Sequence, residues 1–166
     1  MKKSAPMLLA LMPTVSGVAI ANDKLGVPTG VNMAPEDGKE MPADVETITH
    51  LLSARHPVDV PGPKTWAAHP DADDALKWIA THGPLNFHRE RALSILRHYP
   101  DPSTKDFLLA FLQEDRYHPL IRAGAARGLT GQTVGEADCT EVRNVDAGSS
   151  ELVADAVKKL IRERCS

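Results

Sequence analysis

The sequence predicts an all-α chain, folded as a short α-solenoid of about three helical hairpins preceded by one extra N-terminal helix. Three observations predict it. Apolar residues make up 42% of the chain but aromatics only 4%, so a core must be built mainly from Ala, Leu, Val and Ile. No segment alternates with the two-residue period of a strand, whereas several carry apolar stripes at helical spacing. A frame of small and large residues also returns after about 30 residues, as set out below. The 166 residues amount to one domain, and a net charge of −3 at pI ≈ 6.1 gives no electrostatic case for nucleic acid.

Lys2 and Lys3 precede a run without charge from Ala5 to Ala21, closing in Ala19-Ile20-Ala21. A basic start, an apolar middle and small residues at −3 and −1 describe a secretory signal peptide over 1–21, cleaved after Ala21. Pro13 and Gly17 weaken the run as a membrane span. The expectation is a periplasmic or secreted protein with no stable membrane anchor once the signal is removed. Residues 22–42, rich in Gly, Pro and Met without periodicity, read as a flexible leader. Residues 43–166 form the folded domain.

The first helix is expected over about 44–55, with Val45, Ile48, Leu51 and Leu52 inward and Asp44 as cap. His56-Pro57 ends it, and the stretch 57–70, with four prolines and Trp66, is at best an ordered loop. Helices follow over 71–82 (Leu76, Ile79 and Ala80 inward) and 86–99 (Ala92, Leu93 and Leu96 inward). Asp101-Pro102-Ser103 starts a fourth, with Phe107, Leu108, Phe111 and Leu112 as its stripe. A fifth spans 118–129, and Gly128, Gly131 and Gly135 break the pattern at and after its end. A weakly helical segment near 138–146 precedes a last helix over 150–164, with Leu152, Val153, Ala156, Val157 and Leu160 on its apolar side.

The frame is Arg89-x-x-Ala92-x-x-x-Leu96. It returns 33 residues later as Arg122-x-x-Ala125-x-x-x-Leu129, and in degraded form as Val153-x-x-Ala156-x-x-x-Leu160. A small residue one turn before a Leu lets a neighbouring helix approach, and two helices per period describe a stacked solenoid. The segment from Pro100 through Asp115, continuing over Arg122–Leu129, resembles the HEAT-like repeats of the short bacterial type. That resemblance implies an acidic–Arg pair at Asp115 and Arg122, and a role as a protein-binding scaffold. The last unit departs from the pattern, with Val153 where Arg belongs.

In an oxidising compartment Cys139 and Cys165 are expected to close a structural disulfide. Neither sits in a Cys-x-x-Cys or beside a His, as a redox or metal pair would. In the repeat frame the bridge clamps the segment near 138–146 onto the last helix. The seven histidines show no metal-ligand spacing, and no nucleophile elbow or phosphate loop is present. The chain is therefore read as no enzyme, with no cofactor. What remains is a basic stripe along the second helices: Arg91, Ser94, Arg97 and His98, then Arg127, then Lys158 and Arg162. On an acidic mature chain it suits a partner protein with an acidic surface. The alternative is a small envelope enzyme or ligand-binding protein using the Trp66 loop and the histidines.

Overall fold

Capping chemistry sets the helix boundaries in the computed structural model, which describes residues 40–54 and 61–165. The signal segment and all but the last residues of the leader lie outside the described residues. All described residues are helix, turn or coil, and they belong to one unit, Asn32–Ser166. The α-helices are α1 (Val45–Leu52), α2 (Pro63–Ala67), α3 (Asp73–His82), α4 (Asn86–Ile95), α5 (Pro102–Gln113), α6 (Pro119–Leu129), α7 (Glu136–Arg143) and α8 (Glu151–Arg164). A single 3-10 turn, Leu96–His98, continues α4.

Asp101 caps α5 by accepting from the Ser103 N–H at 2.8 Å, with Pro102 in the first turn where no donor is needed. Ser150 does the same for α8 through the Val153 N–H, at 3.4 Å. His118 caps α6 with its ring Nδ1, accepting from Leu120 N–H at 3.2 Å. Asp44 stands at the cap position of α1 but its side chain makes no capping bond.

Several sequence readings need correction. The proline-rich stretch is not only loop: residues 63–67 form α2, and Trp66 is fully buried, its indole N–H donating to the Pro61 carbonyl at 3.1 Å. Its large apolar ring outweighs the loop signals around it. Leu152, expected on the apolar side of α8, is exposed, while Val153, Val157 and Leu160 are buried. Leu152 lies in the first turn of α8, just past its cap and clear of the packed stripe.

The helices pair in sequence order: α3 with α4, α5 with α6, and α7 with α8. Between pairs, α6 packs against both α4 and α8, α5 touches α7, and α1 sits on α3 and α4. Three bonds between pairs share a separation of 33 residues, beside others at 24 to 37: they join Ser94 to Arg127, Lys105 to Asp138, and the Gln132 amide to the Tyr99 carbonyl.

The closest approach is α4 on α6. A Cβ built on Gly124 would lie 2.7 Å from the Glu90 carbonyl oxygen, and one on Gly128 would run into the Leu93 carbonyl. One on Gly131, just past the helix, would strike the Arg97 carbonyl. Glu90, Leu93 and Arg97 follow the i, i+3, i+7 line of one helix face, and Gly124, Gly128 and Gly131 the matching line of the other. Gly128 therefore lies inside α6 and serves contact, whereas the sequence reading has it ending the helix. Because the obstructing atoms are backbone, Gly128→Ala must displace a helix, a cost of about 2 kcal/mol or more. A drop in melting temperature of several degrees by circular dichroism is expected, with Gly62→Ala nearly neutral because a Cβ there meets nothing within 4 Å.

Candidate functional site

The framed arginines come first, because they hold the helices that carry the rest. Arg89 Nε donates to the Ala80 carbonyl at 2.7 Å, near the end of α3. That oxygen would otherwise await the residue four ahead, which is Pro84 and has no N–H. Arg122, itself buried, donates from Nε to the Leu112 carbonyl at 3.0 Å near the end of α5 and from Nη2 to the Asp146 carbonyl at 2.6 Å. Each arginine ties the second helix of a pair to the orphan carbonyls ending the first. Arg122 is thus held by main-chain oxygens, and Asp115, its implied acidic partner, is exposed.

In the third pair Val153 occupies the arginine position and is fully buried. The closure there is covalent: Cys139 on α7 and Cys165 at the end of α8 form the expected disulfide, with S–S 2.07 Å and Cα–Cα 5.6 Å. Arg143 adds a bond from Nη2 to the Cys165 carbonyl at 2.9 Å. A 26-residue separation gives about 3–4 kcal/mol by the chain-entropy model. Cys139→Ser is expected to lower the melting temperature by at least several degrees while leaving the helicity of the α3–α6 pairs intact, which hydrogen exchange by residue would read out.

Of the seven stripe residues, four gather around one cavity of about 190 Å³: Arg91, Ser94, Arg97 and Arg127. Glu90, absent from the sequence-level stripe, joins them. Arg127 pairs with Glu90 through Nη2 and donates from Nε to Ser94 Oγ at 3.3 Å, while Ser94 donates to Glu90 at 3.0 Å. The one legible signal was the i, i+4 spacing of Glu90 and Ser94, since the third partner comes from another helix. Arg91 turns inward, its Nη1 donating to the Leu52 and Ala54 carbonyls at 2.5 Å each, with its guanidinium 5.5 Å from the Phe87 ring centre. Arg97 is exposed and donates from Nε to His98 Nε2 at 3.2 Å.

His98 borders a different, open cavity of about 590 Å³ that also touches Trp66, Asp73 and Tyr99. The Tyr99 hydroxyl there donates to the His69 carbonyl at 2.8 Å, and burial followed by Asp73 pushes its pKa up to about 12. Lys158 and Arg162 line neither cavity; both are exposed on α8, with Lys158 3.6 Å from Asp155. The structure therefore places the stripe in three parts: a cluster around Glu90, His98 at the open cavity, and the two cations on α8.

His88 packs between α4 and the end of α1, with Nε2 3.0 Å from Ser53 Oγ. The Ser53 proton is committed to the Thr49 carbonyl at 2.8 Å, so the imidazole donates from Nε2 and leaves Nδ1 buried without a partner among the described residues. Burial, then the nearby Arg91 charge, lowers its pKa below the ordinary 6.5. His98 is lowered too, by burial and then Arg97. Among the described residues no group of three His, Cys, Asp or Glu could hold a metal, and no helix is long and apolar enough to cross a membrane. Comparison with family models, curated proteins and solved structures finds no match to this chain.

The histidine shifts set a pH dependence. The unfolded chain takes up protons as pH falls through 6.5 while folded His88 resists, so stability is complete above that value and is lost progressively below it. Melting temperature is expected to fall between pH 7 and 5, and His88→Gln, which keeps a donor to Ser53, should flatten that profile.

Proposed function

We propose that this chain is an exported helical-repeat scaffold that binds another protein along its second helices. The observation that supports this reading is the pairing itself: α3–α4, α5–α6 and α7–α8 follow one another along the chain, and α6 packs against both α4 and α8, as successive hairpins of a HEAT-like α-solenoid would. Such a stack presents α4, α6 and α8 side by side, and their exposed cations Arg97, Lys158 and Arg162 favour an acidic partner surface. Export rests on the basic-then-apolar start of the chain and is supported by the Cys139–Cys165 bond, which belongs to an oxidising compartment. A ligand-binding role at the cavity beside His98 is the second reading, favoured by that cavity's size. The Tyr99 hydroxyl is already spent on main-chain carbonyls, so it supplies such a site with shape more than chemistry.

The test uses affinity capture from the envelope fraction followed by binding of the recovered partner to variants. Arg97→Glu with Lys158→Glu is the informative pair, because Arg127→Glu would set a carboxylate against Glu90 and disturb the fold. Loss of affinity by about tenfold or more, and weakening with salt, is expected. Asp106→Lys on the exposed side of α5 should leave binding unchanged. Full retention of binding by the double variant would remove the second-helix face as the interface.

A further inference from the structure

We infer that α1 is an acid-released cap: protonation of His88 lifts it from α3 and α4 while the pairs from α3 to α8 stay folded. This goes beyond the scaffold reading and does not depend on it, since the release needs no partner.

α1 is lightly attached. It has eight residues, and an isolated helix shorter than about 12 residues is marginal in water, so α1 persists through its packing. Val45, Ile48 and Leu52 are the side chains it buries. At its start the Asp44 side chain makes no capping bond. At its other end, side chains of two α4 residues hold it: His88 bonds to Ser53, and Arg91 donates to the Leu52 and Ala54 carbonyls. Thr49, one turn before Ser53, keeps a buried hydroxyl with no partner among the described residues.

His88 fits this contact as a neutral ring. With Nε2 donating to Ser53, Nδ1 is an unprotonated nitrogen. That atom is buried and has no hydrogen-bond partner among the described residues. A proton added there would be a charged donor with nothing to receive it, sealed from water. The charge acting on the ring is Arg91, which cannot swing away without releasing the two carbonyls it holds. From α1 the ring meets the Ser53 hydroxyl, while Asp44, Glu46 and His50 are exposed. On α3, Asp73 pairs with Lys77 and the His82 ring lies against Trp78. No carboxylate among the described residues acts on His88 to offset a new charge. Lifting α1 lets water reach Nδ1 and removes the conflict.

Released, the imidazole takes up its proton near the ordinary 6.5, whereas the docked ring resists it. Docking is therefore complete above that value and weakens below it, by at most about tenfold for each pH unit. His88 is the one buried histidine among the described residues, so the later pairs lack this trigger. Release uncovers Val45, Ile48 and Leu52 together with the surface of α3 and α4 beneath them.

Hydrogen exchange by residue on the full oxidised chain at pH 7 and pH 5 tests this, read as protection factors that remove the intrinsic pH dependence of exchange. Protection of α1 is expected to fall about fivefold or more, with α5, α6 and α8 changing by less than about twofold. His88→Gln should abolish the difference, whereas His50→Gln and His56→Gln should keep it. Unchanged protection of α1, or an equal loss in every helix, would overturn the inference. So would a response that survives His88→Gln, or one that vanishes with His50→Gln or His56→Gln. Should His88→Gln not fold, nuclear magnetic resonance of the wild-type ring decides. Titration of His88 in step with the loss of α1 protection sustains the inference, and titration with α1 still protected overturns it.

Discussion

The approach of α6 to α4 through a line of glycines is the constraint on which the rest of the structure depends. With Gly124, Gly128 and Gly131 set against the carbonyls of Glu90, Leu93 and Arg97, the two backbones meet with no side chain between them. That contact fixes which faces of the two helices remain for everything else. The Ala92, Leu96, Ala125 and Leu129 side chains are driven fully into the core. Glu90, Ser94 and Arg127 are left at the rim of the same contact, close enough to form one network. The cavity and its charge are therefore by-products of a packing solution.

A helix pair needs its ends closed as well as its middle packed, and the chain meets that need in two ways. Arg89 and Arg122 reach back to carbonyls near the ends of α3 and α5, groups with no partner within their own helices. Such a bond joins a charged donor to an otherwise orphan acceptor, so its loss would leave a buried polar group unpaired on either side. The last pair has no stacking neighbour beyond it among the described residues and has lost the arginine to Val153. There the Cys139–Cys165 bond takes over closure. Arg122 connects the two systems, since its second bond goes to the Asp146 carbonyl in the α7–α8 connection. The weakest unit by sequence is thus held both covalently and by its neighbour.

Much of this was legible because it is local or periodic. Apolar spacing located α1, α3, α4, α5, α6 and α8 to within a few residues. Asp101 announced its helix through short-range capping chemistry, and the 33-residue frame singled out Arg89 and Arg122. What escaped depends on contacts that sequence spacing does not carry. Gly128 reads as a breaker unless the opposing backbone is known to lie against it. Trp66 sits among prolines that signal loop, yet burial of one large ring orders a helical turn around it. Glu90 carries little mark in the sequence because its arginine partner lies 37 residues away.

The stripe of cations shows why the distinction matters for function. Read along the chain, Arg91, Arg97, Arg127 and Lys158 are equivalent charges on successive inner helices. In three dimensions they divide by what they already hold. Arg91 closes the end of α1, Arg127 is neutralised by Glu90, and Lys158 stands in solvent near Asp155. Arg97 is exposed at the rim of the Glu90–Ser94–Arg127 cluster. A charge whose donors are consumed by the fold contributes field but little recognition, whereas one with free donors next to a dry surface can contribute both. Among the stripe residues carried by α4, its closing turn and α6, the exposed charge therefore narrows to the single arginine that follows α4, at the point where the glycine line of α6 runs past its carbonyl.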